Sequence, residues 1–301
     1  MFKPRRVNAP KLDERFKAER LAQTLPPLIL AAENLVNAHD MGVHGRRRAG
    51  TGEDFWQFKQ YGPGDPVSSI DWRQSAKREH IYIRQKEQET AETVWIWRDT
   101  SQTMDYGSGQ TEQSKLDRAT LLSLALALSL SKSGEKFGLV GQTEKASTGP
   151  ASFNRFVDRT AEVQSPSITD LTFADQLSSK STVVLISDFL VEPSEIIEVI
   201  RHVVSLGCRG FLMHIADPVE VDLPFNGRTR FVSLTEEDDI TLGRVEIVRE
   251  DYQSLFNAHQ QELLKIAKNV SWDYCFHRTD APASEAFAAL YTALNIRGAK
   301  A

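Results

Sequence analysis

A doubly wound, mostly parallel α/β sheet is the architecture this sequence predicts, and three observations predict it. Continuous apolar runs, "TVWIW" at 93–97 and "STVVLISDF" at 181–189, lack the alternation of a strand with one face in water, so both faces should be covered. Helix-length segments follow them and close on glycine: "KLDRATLLSLALALSLSKSG" ends at Gly134 and "EPSEIIEVIRHVVSLG" at Gly207. From residue 92 onward strand and helix patterns alternate, which is the order that βαβ units require.

Taken along the chain, residues 1–41 read as an N-terminal helical extension whose helix begins after Pro26 and Pro27, in "LPPLILAAENLVNAHD". Residues 42–91 change texture. "MGVHGRRRAGTGEDFWQFKQYGPGDPVSSIDWRQS" is rich in Gly, Pro, charge and aromatic residues without a sustained period, which predicts ordered loop with short strands. "HIYIRQKEQE" at 80–89 alternates like an outer strand leading into the buried one at 93–97. Residues 92–301 form the α/β domain, with further strands expected in "KFGLVG", "STVVLISDF", "GFLMHIADP" and "TRFVSL". Its last long amphipathic helix is "REDYQSLFNAHQQELLKIAKNV".

Composition narrows the function classes. A hydrophobic fraction of 41% supports a real core. With 36 Lys and Arg against 41 Asp and Glu the net charge is -5, so no global attraction to nucleic acid is expected. The most apolar helix is interrupted by Ser123, Ser129 and Ser131 and falls short of the roughly 20 residues that span a bilayer. The N-terminal stretch places acidic residues and a double proline where a signal sequence needs a continuous apolar run, so the expectation is no membrane span and a cytoplasmic protein. Cys208 and Cys275 stand far apart, which predicts buried thiols rather than a disulfide framework or a zinc site. The seven histidines show no metal-binding spacing, and His214 reads as a packed strand residue.

The chemistry concentrates where strands end. In a doubly wound sheet ligands bind beyond the carboxyl ends of the strands, at the switch in strand order. "VWIWRD" and "VVLISD" each stop at an aspartate, Asp99 and Asp188, and Ser101 and Thr103 follow the first. Carboxylate and hydroxyl oxygens without Cys or His suit a hard cation, Mg²⁺ first, with Mn²⁺ or Ca²⁺ as alternatives. Local capping of the following turn is the competing role for the same residues.

Asp99, Ser101, Thr103 and the following Met104 resemble the metal-ion-dependent adhesion motif of von Willebrand factor A domains, with Thr in place of the usual second Ser. "HGRRRAGTGEDFWQFKQYGPGDPVSSIDWRQSAKREHIYIRQKEQE" closely resembles the signature of the bacterial family known as domain of unknown function 58. The matching positions are Tyr61, Gly64 and Asp65, Ile70, Asp71 and Trp72, Ser75, Ala76, Lys77 and Arg78, then Arg84 and Glu87. The sequence departs from the family pattern at Pro66 and Ser68. The resemblance implies a von Willebrand factor A-like, Rossmann-type fold and association with MoxR-type AAA+ ATPases, and it implies no established reaction. It also implies that a distant loop supplies a threonine to the metal, for which Thr148 is the candidate, with Thr143 close behind.

Within the signature, Asp65, Asp71, Arg73 and Arg84 have the chemistry of a charged network, and Tyr61 and Trp72 are expected to anchor it in apolar surface. Arg46, Arg47 and Arg48 are the candidate docking surface for acidic groups of a partner. The same triplet with Trp56 and Tyr61 could stack single-stranded nucleic acid, but Glu53 and Asp54 follow at once and disfavour it.

The expectation is therefore a non-enzymatic, divalent-cation-dependent protein-interaction module, a partner or adaptor of a MoxR-type AAA+ ATPase acting on an unidentified client protein. The alternative is a Mg²⁺-dependent phosphohydrolase using Asp99. Such a site needs an acid where this chain has Ser101, and serine cannot protonate a leaving group. No phosphate-cradling glycine motif is present.

Overall fold

The computed structural model describes residues 25–40, 55–62, 70–77, 80–86, 93–111, 113–141, 144–162, 165–171, 177–232 and 239–298. Two compact units emerge: Val43–Ala91, and a larger one made of Met1–Gly42 with Glu92–Ala301. In chain order the first elements are α1 (residues 25–40), β1 (Phe55–Gln60), α2 (Trp72–Ser75) and β2 (Tyr82–Lys86). Then come β3 (Thr93–Arg98), α3 (Lys115–Ser133), β4 (Lys136–Leu139), α4 (Pro150–Glu162), a 3₁₀ turn (Ile168–Asp170), β5 (Thr182–Ser187) and α5 (Pro193–Ser205). The chain ends with β6 (Arg209–Ala216), α6 (Pro218–Asp222), β7 (Thr229–Phe231), β8 (Ile240–Leu242), α7 (Val245–Asn269), β9 (Asp273–Arg278) and α8 (Ala283–Gly298).

In the smaller unit β1 and β2 pair antiparallel, Phe58 opposite Arg84, with an irregularity between Phe55 and Gln57. The alternating segment at 80–89 therefore supplies one strand of this two-stranded sheet. Asp71 is tied to β2 through its main chain, its N–H donating to Tyr82 O at 2.9 Å. The Ser75 hydroxyl donates to Asp71 O at 2.8 Å and accepts from Tyr82 N at 2.9 Å, fastening α2 to the strand.

The larger unit is built on a five-stranded, wholly parallel sheet of order β4-β3-β5-β6-β9. Alternate residues of each strand feed opposite cores, as the period of two requires. Val94, Ile96, Val184, Ile186, Met213 and Ile215 join α1, α3, α4 and α8 on one face. Trp95, Trp97, Val183, Leu185 and Leu212 join α5 and α7 on the other. The helix after β3 and the helix after β5 thus lie on opposite faces, and the strand order reverses between those two neighbours. This is the topological switch point where such sheets bind ligands.

The central helix α3 is buried nearly all round, which explains its apolar sequence without a membrane. Its serines are accommodated by back-bonding: buried Ser123 donates to Ala119 O at 2.7 Å. Ser114 and Asp117 form a capping box at its start, and Gly134 at φ 78° closes it. Among the described residues no helix is long and apolar enough to cross a membrane.

Two strands have placements that the sequence did not specify. "TRFVSL" does form a strand, β7, which pairs antiparallel with β8 in a two-stranded ribbon. β9, one edge of that sheet, comes from "DYCFHR", whose charged and polar residues hide the strand among half-buried positions. Trp272, just before it, is the anchor: its ring lies so close over Gly210 of β6 that a Cβ there would stand 2.2 Å from Trp272 Cε3.

Candidate functional site: the carboxyl rim between β3 and β5

Asp99 and Asp188 follow the last residues of adjacent strands and lie on the same rim. Arg98 is in register with Ile186, and Asp99 N donates to Ile186 O at 2.9 Å. The Asp99 carboxylate is fixed from both sides: Oδ1 accepts from Ser101 N at 2.8 Å, and Oδ2 accepts from the Ser187 hydroxyl at 2.6 Å. Ser187 in turn accepts from Phe189 N at 2.9 Å. Asp99 therefore performs the local capping role that competed with the metal role, and it does so while remaining at the ligand-binding edge.

Ser101 is exposed and Thr103 half-buried, their hydroxyl oxygens 2.9 Å apart. Met104 beneath them is fully buried and pins the turn to the core. Burial raises the Asp99 carboxyl above the usual range and the neighbouring Asp188 charge adds to it, while the hydrogen bonds from Ser187 and Ser101 pull it back.

Asp188 is occupied differently. Its Oδ1 accepts from Leu190 N at 3.2 Å, and its Oδ2 accepts from Lys115 Nζ at 2.8 Å. The same ammonium donates to Glu220 Oε1 of α6, and Glu220 Oε2 accepts from Asp217 N at 2.9 Å. Lys115 is 0% exposed. Burial, the largest single influence, acts to lower its pKa, but Asp188 and Glu220 together outweigh it and the net shift is upward, so the side chain stays charged. Asp217, at the end of β6, caps α6 and also accepts from Ser108 N at 3.1 Å, tying the loop after β3 to the third strand end. Sequence reasoning missed Lys115, Asp217 and Glu220. Asp217 was legible as a strand-end aspartate in "HIADP", whereas Lys115 carries no signal beyond its place at the helix start.

Thr148 is not brought to this rim. Ser147 bridges Phe137, and Phe137 is in register with Val94, five residues before Asp99. At about 3.3 Å per residue the Ser147–Thr148 segment sits about 16 Å down the sheet, at the amino end of β3. The assignment of Thr148 as the distant ligand is therefore corrected: antiparallel pairing carries its loop along β4 away from Asp99. Thr143 lies outside the described residues. The segment that does reach the rim is 165–171, where Ser165 N donates to Thr100 Oγ1 at 2.9 Å and Trp97 Nε1 to Pro166 O at 3.2 Å. It carries Ser167 and Thr169, whose hydroxyl oxygens are 3.0 Å apart.

In the signature segment Trp72 is 64% exposed, so it does not serve as the apolar anchor expected of it; Tyr61 is half-buried. Arg73 is exposed. Arg84 is placed by its backbone in β2, and Arg46, Arg47, Arg48 and Asp65 lie outside the described residues.

Among the described residues no group of three or more His, Cys, Asp or Glu side chains converges as a metal-holding cluster. The rim instead offers a mixed donor set of hydroxyls and carboxylates. Adjacent ligands of an octahedral ion with bonds of about 2.1 Å stand about 3.0 Å apart, close to the spacing of the Ser101 and Thr103 oxygens. A cation beside Asp99 would also relieve the mutual repulsion of Asp99 and Asp188. The residues present fit a hard divalent cation on both counts.

The family model for protein of unknown function DUF58 matches residues 57–262. Uncharacterized protein Rv1480 of Mycobacterium tuberculosis and uncharacterized protein Mb1516 of Mycobacterium bovis are each 25% identical to this chain over 283 residues, covering 87% of it and 86% of the relative. Among solved structures, the conserved hypothetical protein BatB from Bacteroides thetaiotaomicron is 18% identical with a TM-score of 0.43, covering 70% of this chain and 100% of that one. An aerotolerance-related membrane protein from Bacteroides fragilis is 18% identical with a TM-score of 0.44, covering 68% and 99%.

Proposed function

The chain belongs to the DUF58 family, and from that premise and the rim geometry we propose that it is a non-enzymatic interaction module whose docking depends on a divalent cation. Ser101 and Thr103 would hold the ion, Mg²⁺ first and Mn²⁺ or Ca²⁺ otherwise, with Asp99 and Asp188 supplying negative charge. The bound ion supplies an open coordination position that attracts a carboxylate from another protein. This chain's own residues do the positioning. Ser187 and Ser101 N hold Asp99 in one orientation, and Met104 fixes the turn that presents the two hydroxyls.

The observation that carries the reading is the hydroxyl pair of Ser101 and Thr103, 2.9 Å apart at the switch point of the sheet, beside a carboxylate already held in place. The partner is proposed to be a MoxR-type AAA+ ATPase, with an unidentified client in protein remodelling or complex maturation. That part rests on the family resemblance of the signature segment. The phosphohydrolase alternative is weaker because Ser101 stands where such a site needs an acid, and Asp188, the carboxylate at the neighbouring strand end, is engaged by Lys115 and Leu190 N.

Affinity capture from the native cell, with Mg²⁺ and with EDTA, tests the proposal. The expected result is an AAA+ ATPase retained with Mg²⁺ and lost with EDTA or with Ser101→Ala. Capture indifferent to both would contradict it, and turnover of phosphate esters abolished by Asp99→Asn would favour the enzyme.

A further inference from the structure

Lys115 is expensive where it stands. It is the first residue of α3, where the helix dipole places partial positive charge, and it is completely buried. Neither helix formation nor core packing asks for an ammonium there. What its position achieves is a bridge: Nζ donates to Asp188 at the end of β5 and to Glu220 on α6 after β6, and it lies 5.9 Å from the centre of the Tyr106 ring in the loop after β3. One positive charge thus joins structures that follow three neighbouring strands.

The consequence falls on Asp188. One of its oxygens is committed to Lys115 and the other to Leu190 N, so its negative charge is already answered before any ion arrives. Asp99, by contrast, is held by neutral donors, the Ser101 N–H and the Ser187 hydroxyl with the Ser101 hydroxyl also contributing, and no ion pair to it exists among the described residues.

We propose that Lys115 is a tethered counter-cation that competes with the divalent ion for Asp188, keeping the affinity of the free rim low so that stable occupancy waits for a partner's carboxylate. This rests on the cation reading of the rim and names the regulation of that site. The device couples two events: the ion is held weakly alone, and the acidic side chain that completes its coordination adds the charge that Lys115 has removed from Asp188. Repulsion between a unit charge and a divalent ion sharing one carboxylate is worth roughly tenfold in affinity even at the dielectric of water.

The test is calorimetric titration of the full-length chain with MgCl₂ and MnCl₂ at fixed ionic strength, alongside thermal melting to verify folding. Lys115→Met is expected to bind Mg²⁺ at least about tenfold more tightly than wild type, and adding Asp99→Asn is expected to erase the gain. Because Lys115→Met leaves two carboxylates without their partner and can fail to fold, Lys115→Met with Glu220→Met is the second variant. It keeps the wild-type net charge, removes both ends of one ion pair, and frees Asp188. It too should bind more tightly than wild type. Wild-type or weaker affinity in the folded variants would overturn the role of Lys115 while leaving the rim a cation site. No heat with either metal in wild type or variants would overturn the cation reading itself, and the Lys115 role with it.

Discussion

Replacing Gly210 by alanine should destabilise the protein far more than the loss of two hydrogens from a strand suggests. The added Cβ would stand 2.2, 2.3 and 2.4 Å from three atoms of the Trp272 ring, more than an ångström inside ordinary carbon–carbon contact at about 3.5 Å. Gly210 lies in the strand next to the sheet's centre, paired with Val183, and Trp272 is 4% exposed in the core beneath α7. Neither side can yield cheaply. If the ring shifts within its site the cost is that of overpacking, about 1–3 kcal/mol; if it is expelled the cost approaches that of losing the side chain, about 3–5 kcal/mol. Alanine recovers at most about 1 kcal/mol through the unfolded chain, so the net loss expected is up to about 2 kcal/mol if the ring only shifts and about 2–4 kcal/mol if it is expelled. Urea unfolding followed by circular dichroism measures it. The pair Gly210→Ala with Trp272→Leu should lose less than the two single changes together, because the clash vanishes with the ring. Gly210→Ala at wild-type stability, or strict additivity in the pair, would refute the close-approach argument.

Two further outcomes follow from the geometry. His277 accepts a 2.6 Å hydrogen bond from Arg118 on Nε2 and is pushed by burial and that guanidinium down to about 4, so it is neutral in the native state. The unfolded histidine, with a pKa near 6.5, binds the proton first, so this group's contribution is intact above about pH 6.5 and is lost as pH falls toward 4, by up to about 1.4 kcal/mol per unit. His277→Gln, which preserves an acceptor for Arg118 and removes the titration, should reduce the pH dependence of the unfolding free energy by that slope; an unchanged slope contradicts the assignment. Thr148→Ala should alter Mg²⁺ affinity by less than about twofold, since its segment stands far from Asp99 and shares no partner with it. A large loss in the same titration would reinstate Thr148 as a ligand.

The parallel sheet and the rim were legible in the sequence because both depend on strong local signals. β3 and β5 are short apolar runs that stop at aspartate, α3 and α5 stop at glycine, and hydroxyls follow Asp99 at fixed spacing. β9 was hidden because an edge strand need not be apolar: Asp273, Tyr274 and Arg278 are tolerated where one side is half-buried. The destination of "TRFVSL" depends on a tertiary choice between the main sheet and a local ribbon, which strand propensity does not encode. Gly210 inside a strand was a readable sign of close approach, but nothing local names Trp272 as the group that approaches. Thr148 failed for a related reason, since the direction in which a loop leaves its strand is fixed by pairing with Phe137 rather than by residue type. Lys115 was invisible because its partners lie 73 and 105 residues away.

The central claim is that the rim beside Asp99 binds a divalent cation through side-chain oxygens. Calorimetric titration of MgCl₂ into wild type, Asp99→Ala and Ser101→Ala, each verified as folded, tests it most directly. Weak binding that saturates only at high Mg²⁺ is expected in wild type, as the counter-charge of Lys115 requires, and at least about tenfold weaker binding in both variants. Identical titration curves for all three proteins would contradict it.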